Sequence, residues 1–140
     1  MMTDDATYWV QGKPHLFPAA GEKTREAILA YVRDRARLDQ AMAGIKPELV
    51  FHAAALKHVH MGERHPAESV LTNLIGVRNA VEAAQNARAG HFLLVSSDKA
   101  AAPGSVMGAS KRLAELYLRS VAATSAMRAV AVRFGNVFGS

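Results

Sequence analysis

The stretch "HFLLVSSDKAAAPGSVMGASK", His91 to Lys111, joins a short apolar run to a helical pattern through a polar turn. The run His91–Ser97 is nearly continuous in its apolar residues, which is typical of a parallel strand buried on both faces. Pro103 and Gly104 then interrupt the chain, and Ser105 is placed to cap the helix that follows. The stretch therefore predicts a strand, a turn and the start of a crossover helix.

Two further apolar runs flank this stretch, and helical patterns separate the three runs. The earlier run is Leu49 to Ala54 (LVFHAA), and the later run is Ala129 to Phe134 (AVAVRF). In both connections apolar residues recur at spacings of three and four, as they do on one face of a helix. These residues are Val70, Leu74, Val77, Val81 and Ala84 in the first connection, and Val106, Ala109, Leu113, Leu116 and Tyr117 in the second. This order predicts an α/β fold, a partial Rossmann-like parallel sheet with crossover helices.

The N-terminal part of the chain carries weaker signals. Residues 1–26 contain scattered glycine and proline and are predicted to form an irregular lead-in, so that the domain covers residues 27–140. Asp34 to Ala43 (DRARLDQAMA) is predicted to be a helix that ends at Gly44. The apolar run Ala27 to Val32 fits either a strand or the first part of one long helix, because short apolar runs cannot be assigned by period alone.

Composition narrows the class of protein. The 140 residues are 50% hydrophobic, which predicts one domain with a substantial core. The absence of cysteine excludes disulfides and thiolate chemistry. The net charge of +5 comes from scattered basic residues without interleaved aromatic residues, which favours a solvated basic surface or a small anionic ligand over nucleic acid. Neither a membrane-spanning run nor a signal peptide is recognisable, which predicts a cytoplasmic protein.

Polar residues follow each of the three apolar runs. In an open parallel sheet, ligands bind beyond the carboxyl ends of the strands, so these segments are expected to form one site. They contain Lys57 after the first run, Ser96, Ser97, Asp98 and Lys99 at the second, and Asn136 after the third. The small residues at positions 53 to 55 would let a flat cofactor approach the backbone, although they equally fit ordinary packing. Met107 and Lys111 share one helix face, with Cβ atoms about 5–6 Å apart.

Four histidines lie close together in the sequence, at positions 52, 58, 60 and 65. A metal ion bound by His58 and His60 is the functional interpretation of this cluster. No metal site is predicted, because His52 lies inside a strand run and no carboxylate pair completes a set of ligands.

Four motifs, in order, resemble the UDP-N-acetylglucosamine 4,6-dehydratases of capsular polysaccharide biosynthesis, a branch of the extended short-chain dehydrogenase/reductases. They are LVFHAAALKHV, TNLIGVRNAVEAA, FLLVSSDKAAAPGSVMGASKRLAEL and VAVRFGNVFGS, within about Val32 to Ser140. The resemblance implies an NAD-dependent lyase that acts on a UDP-N-acetylhexosamine. In that reaction a hydride leaves sugar C4 for NAD, water is lost across C5 and C6, and the hydride returns to C6.

The resemblance also implies a role for each polar residue at the strand ends. Asp98 is the general acid and Lys99 the general base of the elimination, and Lys111 holds the nicotinamide ribose. Ser96 or Ser97 hydrogen-bonds the substrate near C4. The full assignment gives Lys57, Ser97 and Asn136 to the substrate, and Ala53, Ala54, Ala55, Asn73, Ser96 and Lys111 to the cofactor.

Met107 stands where short-chain dehydrogenases usually have a tyrosine, four residues before Lys111. A thioether cannot take the proton of the 4-hydroxyl, so the base of the first step is Asp98, Lys111 or a water molecule. Larger, membrane-anchored members of the resembled branch also have methionine here, which implies a subfamily trait. Two departures from the family pattern are Tyr31, in place of an aspartate that meets the adenine, and His60, in place of a proline.

Three alternatives remain open at this point. No glycines in the sequence have the spacing of the turn that binds a dinucleotide pyrophosphate, so the chain is expected to be a central fragment without the Gly-rich βα unit and the C-terminal substrate portion. A fragment of this kind is either a truncated dehydratase or a protein without catalytic activity, namely a silent remnant or an interaction domain. A nucleotide-sugar 4-epimerase is the alternative enzyme, although that reaction usually depends on the tyrosine. An open sheet edge would favour a homo-oligomer.

Overall fold

The structure is a computed structural model and describes residues 8–10, 21–23 and 25–136. Strands and helices alternate over most of this length, and no helix among these residues is long and apolar enough to cross a membrane. In chain order the elements are β1 (Tyr8–Val10), β2 (Gly21–Lys23), α1 (Arg25–Arg33), α2 (Arg35–Ile45), β3 (Leu49–His52), α3 (Val59–Arg64), α4 (Pro66–Val70), a π-helical turn (Leu71–Ile75), α5 (Gly76–Asn86), β4 (His91–Ser97), a 3₁₀ turn (Asp98–Ala100), α6 (Val106–Ala122) and β5 (Arg128–Phe134).

The central sheet consists of β3, β4 and β5 in this order, and all neighbouring strands are parallel. Phe51, Leu93 and Val130 are partners across the three strands. Both parallel connections run in the same direction across the sheet, and right-handed crossovers of this kind place α5 and α6 on one face of it. The carboxyl ends of the strands therefore meet at one edge, and the predicted parallel α/β fold is confirmed.

The hydrophobic core lies between the sheet and these two helices. Phe92 and Leu94 of β4 enter it and are 1% and 0% exposed. The helices supply smaller side chains around them: Val77, Ala80, Val81 and Ala84 from α5, Ala114 and Leu118 from α6, and Leu38 and Ala41 from α2. Burying a side chain of the size of Leu or Phe stabilises the fold by about 1.5–3 kcal/mol. This core fixes α6 against β4, and with it the two segments that carry the predicted acid, base and lysine.

The opposite face of the sheet is open among the described residues. Leu49 and Phe51 of β3 and Val130 and Phe134 of β5 project from it, and they are 46%, 66%, 56% and 48% exposed. We call these four residues the open apolar face. The continuous apolar character of the strands predicts that both faces of the sheet are buried. Among the described residues, only the face that packs against α5 and α6 is buried.

The N-terminal helices settle the alternatives for Ala27 to Val32. This run lies in α1, so the strand interpretation is wrong, and α1 stops at Arg33 instead of continuing as one long helix. Asp34 causes the break, because its backbone is extended and its carboxylate accepts a hydrogen bond from Arg37 N at 3.1 Å as the N-cap of α2. The helix predicted over Asp34 to Ala43 continues to Ile45 and ends where Lys46 adopts a left-handed conformation, with φ of 50°.

The predicted irregular lead-in, residues 1–26, is wrong where the structure describes it. β1 and β2 pair as an antiparallel ribbon, and α1 begins at Arg25. Strands of three residues are too short to show an alternating pattern, which is why the sequence did not reveal them. Residues 1–7, 11–20, 24 and 137–140 lie outside the described residues.

Both predicted apolar stripes need correction. Leu113 and Leu116 of the second stripe are 48% and 43% exposed, and Val70 of the first stripe is 37% exposed. The buried face of α6 instead consists of Met107, Gly108, Ser110, Lys111, Ala114, Glu115 and Leu118. Apolar residues occur on two faces of α6, and the period alone cannot say which face meets the sheet.

Candidate active site

The polar segments that follow the three strands lie at the same edge of the sheet. The 3₁₀ turn at Asp98 continues directly from β4, and Asn136 follows β5. A Cβ built on Gly135 would lie 4.0 Å from Asp98 Oδ2, which shows how closely the ends of β4 and β5 approach. Lys57 and Asn136 are both exposed at this edge. The geometry thus agrees with the expected location of a site, while the role of each residue stays a prediction.

Asp98 and Lys99 form an exposed ion pair at the end of β4. Asp98 Oδ1 accepts hydrogen bonds from Ser97 Oγ at 2.9 Å, from Lys99 N at 2.8 Å and from Lys99 Nζ at 3.3 Å. The Ser97 hydroxyl, followed by Lys99, holds the pKa of Asp98 below its usual value. Asp98 is therefore an ionised carboxylate in the free chain, a state that suits proton acceptance before proton donation.

Lys111 is buried in the first turns of α6. Its Nζ donates a hydrogen bond to Val95 O at 2.9 Å, three residues before Asp98. Burial lowers the pKa of Lys111 to about 8, and the nearby Glu115 carboxylate opposes this shift. Keeping an ammonium group here is unfavourable for folding, which is typical of a lysine held for function.

Met107 is 3% exposed and lies one turn before Lys111 on the same helix. A Cβ built on Gly62 would lie 3.3 Å from Met107 N, so α3 packs tightly against this turn. The thioether supplies neither a proton donor nor an effective base at this position. Proton transfer from a 4-hydroxyl must therefore use another group.

Asn73 connects the segment after β3 to α6. It lies in the π-helical turn, a feature often found at functional sites, and is 0% exposed. Its amide pairs with both backbone groups of Leu56: Leu56 N donates to Oδ1 at 2.8 Å, and Nδ2 donates to Leu56 O at 3.1 Å. Nδ2 also donates to Ser110 Oγ at 3.0 Å. Asn73 therefore fixes the backbone next to Lys57 relative to the helix that carries Lys111.

The N-terminus of α6 has two caps. Ser105 Oγ accepts a hydrogen bond from Gly108 N at 3.1 Å, as the sequence predicted. Glu63 of α3 supplies the second cap, because its Oε1 accepts a hydrogen bond from Val106 N at 2.7 Å. No local pattern in the sequence indicates Glu63 as a cap, because it lies 43 residues before Val106.

Ser96 and Ser97 lie on opposite faces of β4. Ser97 belongs to the Asp98 turn, but Ser96 is buried on the helix side and donates a hydrogen bond to Glu115 Oε1 at 2.6 Å. Arg133 of β5 binds the same carboxylate through Nε at 2.9 Å and a terminal nitrogen at 2.6 Å. The hydrogen bonds from Arg133 lower the pKa of Glu115 to about 2. Ser96 therefore helps to hold β4, α6 and β5 together, and of the two serines only Ser97 lies with Asp98.

His52, one of the four neighbouring histidines and predicted to lie inside a strand, is buried. It ends β3, and its ring stacks on Phe92 with centroids 6.1 Å apart. Within the described part of the chain, its Nε2 has no hydrogen-bond partner. Burial, and then the positive charge of Lys111, lower the pKa of His52 to about 4. A neutral imidazole and a lysine thus share the interior behind the strand ends.

The three alanines that follow β3 lie beside the strand end, and an open groove lies elsewhere on the sheet. Ala53 is exposed, and Ala54 and Ala55 are half-buried beside the strand end. An open groove of about 570 Å³ lies along β5, away from these residues, and is lined by Arg112, Glu115, Arg119, Ala129, Val130, Ala131 and Arg133. In the described residues, no group of three or more His, Asp or Glu side chains is arranged to hold a metal ion.

With this geometry in place, comparison with known proteins gives the family. The family model described as "Polysaccharide biosynthesis protein" matches residues 11–140. The chain belongs to this family. The match includes every element from α1 to β5, so the family pattern and the described fold cover the same part of the chain.

Individual relatives in this family and among solved structures are longer than the chain. It is 46% identical over 112 residues to "Probable polysaccharide biosynthesis protein EpsC" of Bacillus subtilis, which covers 80% of this chain and 19% of that protein. It is 38% identical over 112 residues to "UDP-glucose 4-epimerase" of Rickettsia canadensis, covering 78% of this chain and 32% of that protein. The solved structure of UDP-glucose 4-epimerase from Brucella ovis in complex with NAD matches with a TM-score of 0.71 at 26% identity, over 75% of this chain and 37% of that one.

Proposed function

We propose that the chain carries the acid–base part of a nucleotide-sugar 4,6-dehydratase, which converts UDP-N-acetylglucosamine to a 4-keto-6-deoxy sugar nucleotide for surface polysaccharide. The observation that carries the proposal is the Asp98–Lys99 pair at the carboxyl end of β4. Met107, on the neighbouring helix α6, occupies the position where a tyrosine would act as the base. A carboxylate and an amine side by side provide both proton transfers of an elimination. The relationship to polysaccharide biosynthesis proteins supports the role in making surface polysaccharide.

NAD is the cofactor we propose, and the buried groups behind the strand ends fit it. Lys111 has three N–H groups, one of which donates to Val95 O. Hydroxyl groups of a ribose would accept hydrogen bonds from such donors. When bound, NAD would supply the acceptor and the donor for the hydride that leaves sugar C4 and returns at C6.

The ionised state of Asp98 leads to a specific sequence of proton transfers in this proposal. Asp98 accepts the proton of the 4-hydroxyl as the 4-ketone forms, and then donates that proton to the departing 6-hydroxyl, which leaves as water. Lys99 acts as the free amine after its ammonium proton has passed to solvent: it removes the C5 proton, which the ketone acidifies, and returns it to C5 at the end. The protons balance, because the net change is the loss of one water molecule from the sugar.

A nucleotide-sugar 4-epimerase is the second candidate. The 38% identity to the Rickettsia canadensis protein favours it. Epimerisation inverts C4 and needs no proton donor at C6, so it gives the Asp98–Lys99 pair no second task. For this reason we place the dehydratase first.

One experiment separates these functions. The chain is incubated with NAD and UDP-N-acetylglucosamine, and the sugar signals are followed by proton NMR, with a thermal shift measured for NAD alone. The dehydratase gives a 4-keto sugar with a new C6 methyl group. Formation of UDP-N-acetylgalactosamine instead would assign the epimerase, and the absence of both product and thermal shift would leave the silent remnant.

A further inference from the structure

Gly108 makes the closest backbone approach in the candidate site. It lies in the first turn of α6, and a Cβ built on it would lie 2.6 Å from the carbonyl oxygen of Lys99. Real Cβ atoms essentially never come within 3.0 Å of another heavy atom in this way. Since Lys99 O belongs to the backbone, no side-chain rotation can relieve the contact. The α-carbon of Gly108 is thus packed directly against the turn that carries the predicted acid and base.

The backbone conformation does not explain why residue 108 is a glycine. Gly108 is part of a helix and does not have positive φ, so an L residue fits its backbone. Glycine is also the poorest helix former apart from proline, and alanine at this position would favour the helix. The missing side chain is therefore accounted for by the space next to Lys99 and not by the turn geometry.

Both sides of the contact are held by other bonds. On the helix side, the caps from Ser105 and Glu63 fix the first turn of α6. On the other side, Ala101 N donates to Asp98 O at 3.0 Å, which closes the 3₁₀ turn. Neither partner can therefore yield without breaking hydrogen bonds, and an added methyl group would displace the turn and the helix relative to each other.

We propose that Gly108 is a positioning residue that sets the distance between the Asp98–Lys99 turn and the helix carrying Lys111. This inference rests on the proposed function in assigning proton transfer to Asp98 and Lys99. To restore an ordinary carbon–oxygen contact of about 3.3 Å, the turn must move by something under 1 Å. Displacements of about 1 Å are enough to lower catalytic rates by about 100-fold.

The test compares Gly108→Ala with Gly104→Ala. Gly104 lies in the same connection, and a Cβ built there meets nothing within 4 Å, which makes it a matched control. We expect Gly108→Ala to lower kcat by about 100-fold with a smaller change in KM for the sugar nucleotide. We also expect it to shift the amide NMR signals of Asp98, Lys99 and Ala100. Gly104→Ala should leave all of these quantities at wild-type values.

The outcomes distinguish this inference from the proposed function. If Gly108→Ala shifts the turn signals and no variant forms product, the positioning role stands and the dehydratase proposal fails. If Gly108→Ala leaves the signals and kcat unchanged and raises the unfolding midpoint, as helix propensity alone would, the positioning role is overturned. The wild-type chain gives a further reading without any substitution: nuclear Overhauser effects must connect the Gly108 α-protons to Lys99 and Ala100, and their absence would also overturn it.

Discussion

Asp98 and Lys99, at the end of β4, carry opposite charges. In the proposed reaction each of them transfers a different proton of the sugar. Asp98 is ionised because Ser97 and Lys99 donate hydrogen bonds to it, so it begins as the acceptor. Lys99 is exposed, and its Nζ lies 3.3 Å from Asp98 Oδ1, so the amine stands beside the carboxylate. In the proposed reaction the acid and the base are therefore separated by one peptide unit, and a single turn orients both.

Replacing Lys99 tests this division. Lys99→Met keeps the length of the side chain and removes the amine, so the C5 proton has no acceptor. We expect product formation to fall by about 10²–10⁴-fold, the usual contribution of a general base, while the thermal shift with NAD is unchanged. Arg119→Met removes an exposed cation of α6 away from the strand ends and should keep the wild-type rate. A Lys99→Met chain that retains more than a tenth of the activity would contradict the role.

His52 predicts a pH dependence of stability. Its pKa is about 4 in the folded chain and 6.5 when exposed, so the unfolded chain takes up the proton first as the pH falls. The stability from a neutral His52 is thus fully present above pH 6.5 and is lost between pH 6.5 and 4. The shift of 2.5 units corresponds to about 3 kcal/mol of unfolding free energy. Urea unfolding measured at intervals across this range gives the loss directly.

A variant isolates His52 from other titrating groups. His52→Gln stays neutral at all pH values, so its unfolding free energy should change less between pH 6.5 and 4 than that of the wild type. Glu115 titrates lower, since its pKa is about 2 in the fold and 4.5 unfolded, and its contribution disappears as the pH falls from 4.5 to 2. Parallel curves for wild type and variant above pH 4.5 would show that His52 does not titrate as described.

The sequence reveals some of these residues and hides others for a physical reason. The sequence reveals Asp98 and Lys99 because they directly follow an apolar run. It reveals Lys111 because this residue lies on a recognisable helix face, and all three residues lie within a stretch of 14. The second cap of α6 is invisible, because Glu63 reaches Val106 only when α3 packs on α6. The lowered pKa of His52 likewise depends on burial against Phe92, a residue on the next strand. Roles that depend on long-range contacts are not encoded in local pattern.

Among the elements, α6 carries Met107 and Lys111 of the candidate site, and its first turn is held from outside the helix. The Glu63 carboxylate satisfies Val106 N and also places a negative charge at the positive end of the helix dipole. We expect Glu63→Ala to lower the unfolding free energy by about 1 kcal/mol, the usual loss for an N-cap. Glu63→Gln keeps the acceptor without the charge and should lie between wild type and Glu63→Ala in urea unfolding. Equal stability of Glu63→Ala and wild type would show that the cap does not form in solution.

Element positions follow from sequence where one pattern excludes others. The strand predicted at His91–Ser97 has these same bounds in the structure, because it is bracketed by Gly90 and a polar turn. The run Ala27 to Val32 could not be assigned, because a helix and a strand both accommodate six apolar-rich residues. The stripe on α6 was assigned to the wrong face, since Leu113 and Leu116 have the same period as the residues that are buried. Which face is buried depends on the sheet and not on the helix.

The fold buries one side of the central sheet and leaves the other side exposed among the described residues. The chain spans 19% of the length of its Bacillus subtilis relative, and the proposed reaction needs cofactor and substrate contacts beyond those described in this chain. The fold class is fixed by three parallel strands and the two helical connections between them, whereas the proposed reaction depends on a few polar side chains at the strand ends. This difference explains why the α/β fold is predictable from apolar pattern and the choice between dehydratase and epimerase is not.

The open apolar face gives a prediction for the isolated chain. Contiguous exposed apolar surface of this kind binds hydrophobic dyes and promotes association. We expect the folded chain to enhance the fluorescence of 8-anilinonaphthalene-1-sulfonate, and Phe51→Ser combined with Val130→Ser to reduce that enhancement. The Leu113→Ser variant, which removes an exposed leucine from the other side of the sheet, is the control and should have a smaller effect. Equal fluorescence of all three proteins would show that this face is covered in solution.

The order of the strands also affects how the chain folds while the ribosome synthesises it. β4 is the middle strand, yet its second neighbour, β5, is the last of the three to leave the ribosome. A nascent chain that has not reached Arg128 has no partner for one edge of β4, and such an edge is a template for intermolecular pairing. One edge of β4 therefore stays open until residues 128–134 emerge, and chaperone capture is most useful in the interval before they do.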